Sequence, residues 1–85
     1  MEEKNKYKPI SCNYYDHLEA IATLGKKVPI RYWDDREKEI TIDGRIIDFQ
    51  IAQEVEYLIL AEGISIRLDR LISVDQLLLS EFKTC

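Results

Sequence analysis

Two periodicities divide this chain. Between Tyr14 and Leu24, Leu18, Ile21 and Ala22 fall at i, i+3 and i+4, the buried stripe of an amphipathic helix. Asn13 is a suitable N-cap, Asp16 lies in the first turn and Gly25 is suited to end the helix, so the pattern predicts a helix over 14–24. Asp16, Glu19 and Thr23 share the opposite face with Tyr15. Ahead of it, Tyr7 to Cys12 reads as an extended arm, because Pro9 fixes its own φ and disfavours helix at Lys8. Residues 1–6 are polar and expected to be flexible.

From Val28 onward the period is two. Val28, Ile30 and Tyr32 alternate with Pro29, Arg31 and Trp33 in a first strand, and Pro29 calls for an edge or a strand start. Asp34 to Glu39 reads as a charged turn. Ile40 and Ile42 resume the alternation, and Gly44 interrupts it as a bulge or bend would. Ile46, Ile47, Phe49 and Ile51 carry apolar character to a loop at Gln53-Glu54. Val55 to Ala61 is apolar on both faces and predicts a central strand, followed by a turn at Glu62-Gly63. Ile64, Ile66 and Leu68 alternate again, Asp69 to Leu71 reads as a helical turn, and Ile72 to Val74 as a last short strand.

One helix followed by about five short antiparallel strands, the second of them bent, is the pattern of a small, strongly curved sheet. The expected fold is mostly β: one domain over 1–85, with a barrel over 28–75 and a tail over 76–85 that the pattern does not place. An OB-type barrel is the main competitor, but its helix usually sits mid-chain. Leu18, Ile21, Ile30, Ile42, Leu58, Leu60, Ile66 and Leu68 are expected in the core.

Composition narrows the function. Eighty-five residues leave room for one modest core and not for a nucleotide fold plus a substrate domain. No apolar run reaches the roughly 18 residues of a membrane span, and Met1 to Lys6 leads into no apolar stretch of the kind a signal peptide needs. A cytoplasmic protein is expected, with Cys12 and Cys85 as reduced thiols. The net charge is −4 and no Lys/Arg cluster exceeds Lys26-Lys27. Free-standing nucleic-acid binders usually carry a basic face, so a basic protein partner fits better.

Catalytic chemistry finds little footing. Cys12 and His17 form the only thiol–imidazole pair, without a third ligand for zinc or an orienting group for a nucleophile; Ser11 with His17 fares no better. Asp34, Asp35, Glu37 and Glu39 are interleaved with Arg36 and Lys38, as in a solvated hairpin tip. The three glycines are isolated, so no phosphate loop exists. Trp33 could stack on a base, but with only Arg31 as basic neighbour it reads better as an apolar residue covered by the arm or the helix. No enzyme activity, metal or cofactor is expected.

One segment combines several recognition features. Tyr7, Pro9, Ile10, Cys12, Tyr15, Asp16, Leu18 and Glu19 resemble the N-terminal signature of the Rof family, small bacterial Rho-binding antiterminators. Val55-Glu56-Tyr57-Leu58 and Arg67-Leu68-Asp69 fall where that family has similar motifs, so the resemblance spans Tyr7 to Val74. It implies an Sm-like open barrel behind an N-terminal helix. It also implies a partner: the N-terminal RNA-binding domain of Rho, the hexameric RNA helicase that terminates transcription. Tyr15, Asp16 and Glu19 match the signature and are the expected contacts, with Asn13 and Tyr14 alongside and Gln53 and Glu54 as a second patch. The free protein is expected to be a monomer that does not bind nucleic acid directly. The alternative is an Sm-like RNA-binding module assembled into a ring, which needs a basic inner face and two strand edges able to pair between subunits.

Overall fold

The computed structural model describes residues 10–82. Helix α1 (Cys12–Leu24) precedes six strands: β1 (Lys27–Trp33), β2 (Glu39–Ala52), β3 (Val55–Leu60), β4 (Ser65–Arg67), β5 (Leu71–Val74) and β6 (Leu77–Leu78). All adjacent strands pair antiparallel in the order β4-β3-β2-β1-β5-β6. The sheet is open rather than closed, a small barrel-like fold behind one helix, with six strands where about five were expected.

The helix starts two residues earlier than its pattern suggested. Ser11, not Asn13, is the N-cap: its backbone is extended (φ −59, ψ 140) and its hydroxyl accepts the Asn13 N–H at 3.1 Å. A hydroxyl there satisfies one of the donors that a helix start leaves unpaired. At the other end Gly25 adopts φ 68 and donates to the Ala22 carbonyl, as expected. Tyr14, Leu18 and Ile21 form the buried stripe, with Ala22 half-buried beside them.

Strand β2 pairs with two partners in succession. Its first half, from Glu39 to Arg45, lies against β1, and its second half, from Ile46 to Ala52, against β3. Gly44 was expected to interrupt the strand; instead β2 runs through it, and the register shifts between Ile46 and Asp48. The glycine serves close approach. A Cβ at position 44 would lie 2.8 Å from Cδ1 of Leu60, which is itself buried.

Pro29 is the third residue of β1, a strand with neighbours on both sides, contrary to the expectation of an edge or strand start. Its carbonyl accepts the Asp75 N–H, and a strand residue's N and O point to the same side. The missing donor therefore faces the β5 side, beyond the last pair Ile30↔Val74, where no ladder bond is lost.

The tail is part of the fold. Asp75 and Gln76 turn the chain at φ 51 and 72 so that Leu77 pairs with Val74 and Leu78 with Ser73. A 3-10 turn (Leu79–Glu81) follows. The ring of Phe82 packs edge-on against Tyr14, 4.9 Å between centroids. Seven of the eight expected core residues are buried; Ile42 is half-buried.

Cys12 is disulfide-bonded, which corrects the expectation of a reduced thiol; Cys85 lies outside the described residues. No helix is long and apolar enough to cross a membrane among the described residues.

Two consequences are testable. The turns Gln53-Glu54 and Asp75-Gln76 each place two non-glycine residues at positive φ, the backbone of two-residue hairpins that favour glycine at the second position. Glu54→Gly and Gln76→Gly should each stabilise the fold by about 0.5–1 kcal/mol, the strain relieved exceeding the added chain entropy. A lower melting temperature for either variant contradicts that turn geometry. Peptide mapping of protein prepared without reductant should leave Cys12 unalkylated by iodoacetamide until reductant is added; modification beforehand rules out the bond.

Candidate functional site

Helix α1 lies over β2, and the seam between them brings together residues that sequence spacing does not. Tyr15 follows the buried stripe by one position, so its ring leans across the helix edge. It packs on Phe49 of β2 with centroids 5.0 Å apart. The bulge around Ile47 moves the alternation along β2, leaving Phe49 half-buried and Ile47 and Asp48 exposed. A groove of about 340 Å³ runs beside this ring pair, lined by Glu19, Ala22, Thr23, Ile47, Asp48 and Phe49.

The lining mixes apolar Ala22, Ile47 and Phe49 with the carboxylates of Glu19 and Asp48. The Tyr15 phenol is held above its ordinary pKa, first by burial and then by Glu19, Glu56 and Asp48, so three carboxylates from three elements act on one hydroxyl. Asp16 and Glu19 are exposed, and among the described residues neither has an ion-pair partner. Asp48 accepts the Phe49 N–H at 2.8 Å and the Gln50 side-chain amide at 3.3 Å, which orients its carboxylate. Four cations are engaged elsewhere: Lys27 with Glu62, Arg31 with Glu39, Arg67 with Asp69 and Arg70 with Glu37.

Of the anticipated recognition residues, Glu19 lines this groove, Tyr15 is joined to it through its ring contact with Phe49, and Asp16 is exposed on the same helix. Asn13 is exposed in the first helical turn. Tyr14 does not belong with them. Its ring is fully buried and its hydroxyl donates to the Leu77 carbonyl at 2.7 Å, so it ties the helix to the tail and presents nothing to a partner. Gln53 and Glu54 are exposed at the tip of the β2–β3 hairpin. They stand four residues beyond Phe49, roughly 13 Å along the strand.

Sequence reasoning missed Phe49, Asp48 and Glu56. Phe49 was legible only as one apolar position in a strand; its meeting with Tyr15, 34 residues away, is a product of tertiary packing. Among the described residues no group of three or more His, Cys, Asp or Glu is placed to hold a metal ion. His17 is exposed and its ring rests 5.4 Å from that of Phe82. No known family, no characterised protein and no solved structure matches the chain.

Tyr14 makes the fold sensitive to alkali. Burial pushes its phenol up to about 12, against a smaller opposing pull from the Val74 backbone. An unfolded tyrosine ionises near 10. Because the folded-state pKa is the higher one, the neutral phenol's contribution is fully present below pH 10 and is lost as pH rises through 12. The gap corresponds to roughly 2–3 kcal/mol. Chemical denaturation should therefore show stability falling between pH 10 and 12, with a shallower fall in Tyr14→Phe. That variant should also lose about 1 kcal/mol at neutral pH with its hydrogen bond to Leu77. Equal slopes in the two proteins would remove Tyr14 as the cause.

Proposed function

We propose that this protein inhibits transcription termination by binding the N-terminal RNA-binding domain of Rho and blocking RNA loading. The observation that carries the reading is the seam between α1 and β2. Glu19, Asp48 and Glu56 stand around the Tyr15–Phe49 ring pair, and Asp16 is exposed on the same helix next to Tyr15 in the sequence. A surface that binds RNA offers cations for phosphates and apolar or aromatic faces for bases. Carboxylates beside an aromatic ring pair offer complementary partners for both.

The resemblance to the Rof signature lends the second support, since Tyr15, Asp16 and Glu19 are among the residues that carry it. Acting together, they would occupy the RNA site as a rigid element. Charge complementarity would steer the encounter and add affinity where the pairs become desolvated. The ring alternative has less in its favour. The sheet ends in a three-residue β4 and a two-residue β6, short edges for pairing between subunits. The acidic helix face also suits RNA poorly.

A fluorescent pyrimidine-rich RNA bound to Rho should be displaced by this protein, and less effectively as salt rises. Truncating one partner of a buried charge pair can cost roughly 2–5 kcal/mol, and Asp16→Lys or Glu19→Lys adds repulsion to that loss. Both positions are exposed, so circular dichroism should show the variants folded. A folded double variant that displaces RNA as well as wild type at physiological salt would sink the acidic-face mechanism.

A further inference from the structure

Four large apolar side chains are exposed among the described residues: Leu24, Trp33, Ile47 and Ile51. Trp33, expected to be covered, is 40% exposed. It lines a concavity of about 610 Å³ with Asp34, Asp35, Arg67 and Arg70, and charges of both signs there select no class of ligand. Ile47 and Ile51 differ, because they lie close together on one strand and beside charge of one sign.

Both isoleucines flank Phe49 on β2. Ile47 sits at the register shift, lines the α1–β2 groove with Phe49, Glu19 and Asp48, and is 53% exposed. Ile51 follows Phe49 by two residues, about 7 Å further along the same face of the strand. It is 70% exposed. Its cross-strand partner is Glu56, one of the carboxylates that act on Tyr15. Among the described residues no Lys or Arg lines the groove. Tyr15 and Phe49 are each half-buried and pack on one another. The apolar surface this side of the molecule can offer a partner is therefore chiefly that of the two isoleucines. Exposed apolar side chains grouped beside polar ones are a mark of contact sites.

We propose that Ile47 and Ile51 are the apolar anchors of the Rho interface, seated where its RNA-binding domain receives bases. This role rests on the Rho reading and supplies the part of binding that charge does not. A site for RNA combines cations with apolar or aromatic faces. The patch answers both, with carboxylates for the cations and isoleucines for the faces. A second copy of this chain fits less well, because it would set Glu19, Asp48 and Glu56 against the same three carboxylates.

The test is direct binding of the full-length protein to the Rho hexamer, measured by calorimetry at low and high chloride concentration. Ile47→Thr/Ile51→Thr keeps the β-branched side chains that suit a strand, so circular dichroism should show it folded. Its affinity should fall about tenfold, and by the same factor at both salt concentrations, because apolar burial is not screened. Ile51→Thr alone, at the more exposed position, should show part of that loss, and Ile47→Val/Ile51→Val should bind nearly as wild type does. Asp16→Lys/Glu19→Lys should instead show a deficit that shrinks as salt rises. Wild-type affinity in the folded threonine variants, or a loss confined to low salt, overturns the anchoring role while Rho binding itself stands. Absence of wild-type binding to Rho overturns both. Sedimentation of the protein alone gives the remaining outcome: a wild-type dimer that the threonine variant fails to form would make a second copy the occupant, and the proposal falls.

Discussion

The double pairing of β2 is the constraint on which the rest of the structure depends. One strand of 14 residues gives its first half to β1 and its second half to β3, so the two halves of the sheet can be joined only through it. Two local features make the arrangement possible. At Gly44 the absence of a side chain lets Leu60 pack directly against the β2 backbone. At Ile47 the register shift re-aims the residues that follow. Helix α1 covers the resulting concave face with Tyr14, Leu18 and Ile21, and the edge of that contact is where Tyr15 meets Phe49. The candidate recognition groove is therefore a consequence of how β2 bends rather than a separate device.

Legibility in the sequence followed the range of the interaction. The body of the helix could be read because Leu18, Ile21 and Ala22 repeat at helical spacing and Gly25 stops it locally. Its start could not, because Ser11 and Asn13 are comparable caps and the choice rests on which backbone is extended. Asp16 and Glu19 could be read as an exposed acidic face, since that needs only the helix itself. Phe49, Asp48 and Glu56 could not be joined to them, because three elements must assemble before the groove exists. Tyr14 shows the converse. It continues the buried stripe at i, i+4 and i+7 with Leu18 and Ile21, yet its hydroxyl and its place beside the signature residues suggested a surface role.

The tail was illegible for a different reason. Leu77-Leu78-Leu79 has no period, and Asp75-Gln76 lacks the glycine that usually announces a two-residue hairpin. Both residues nevertheless take positive φ. That strain, of order 1–3 kcal/mol per residue, is offset by what it permits. Leu77 receives the Tyr14 hydroxyl, and Phe82 packs against Tyr14 and His17. The tail thereby braces the same helix whose outer face carries Asp16 and Glu19. Cys12, in the first turn of that helix, is also cross-linked.

This bracing bears on how an 85-residue chain could compete with RNA. A small domain has little area to offer, and ordering flexible side chains or segments on binding costs about 0.5–1.5 kcal/mol for each one immobilised. Here the backbone of the acidic face is fixed before any encounter, by Tyr14 from below, the tail behind and Phe49 at the side. The charge is arranged in advance as well. Arg31, Arg67, Arg70 and Lys27 are each engaged with a carboxylate. Such surface pairs contribute little to stability, but each cancels one positive charge where it lies. On that rigid helix face Asp16 and Glu19 have no ion-pair partner among the described residues, so their charge is available to a cationic partner.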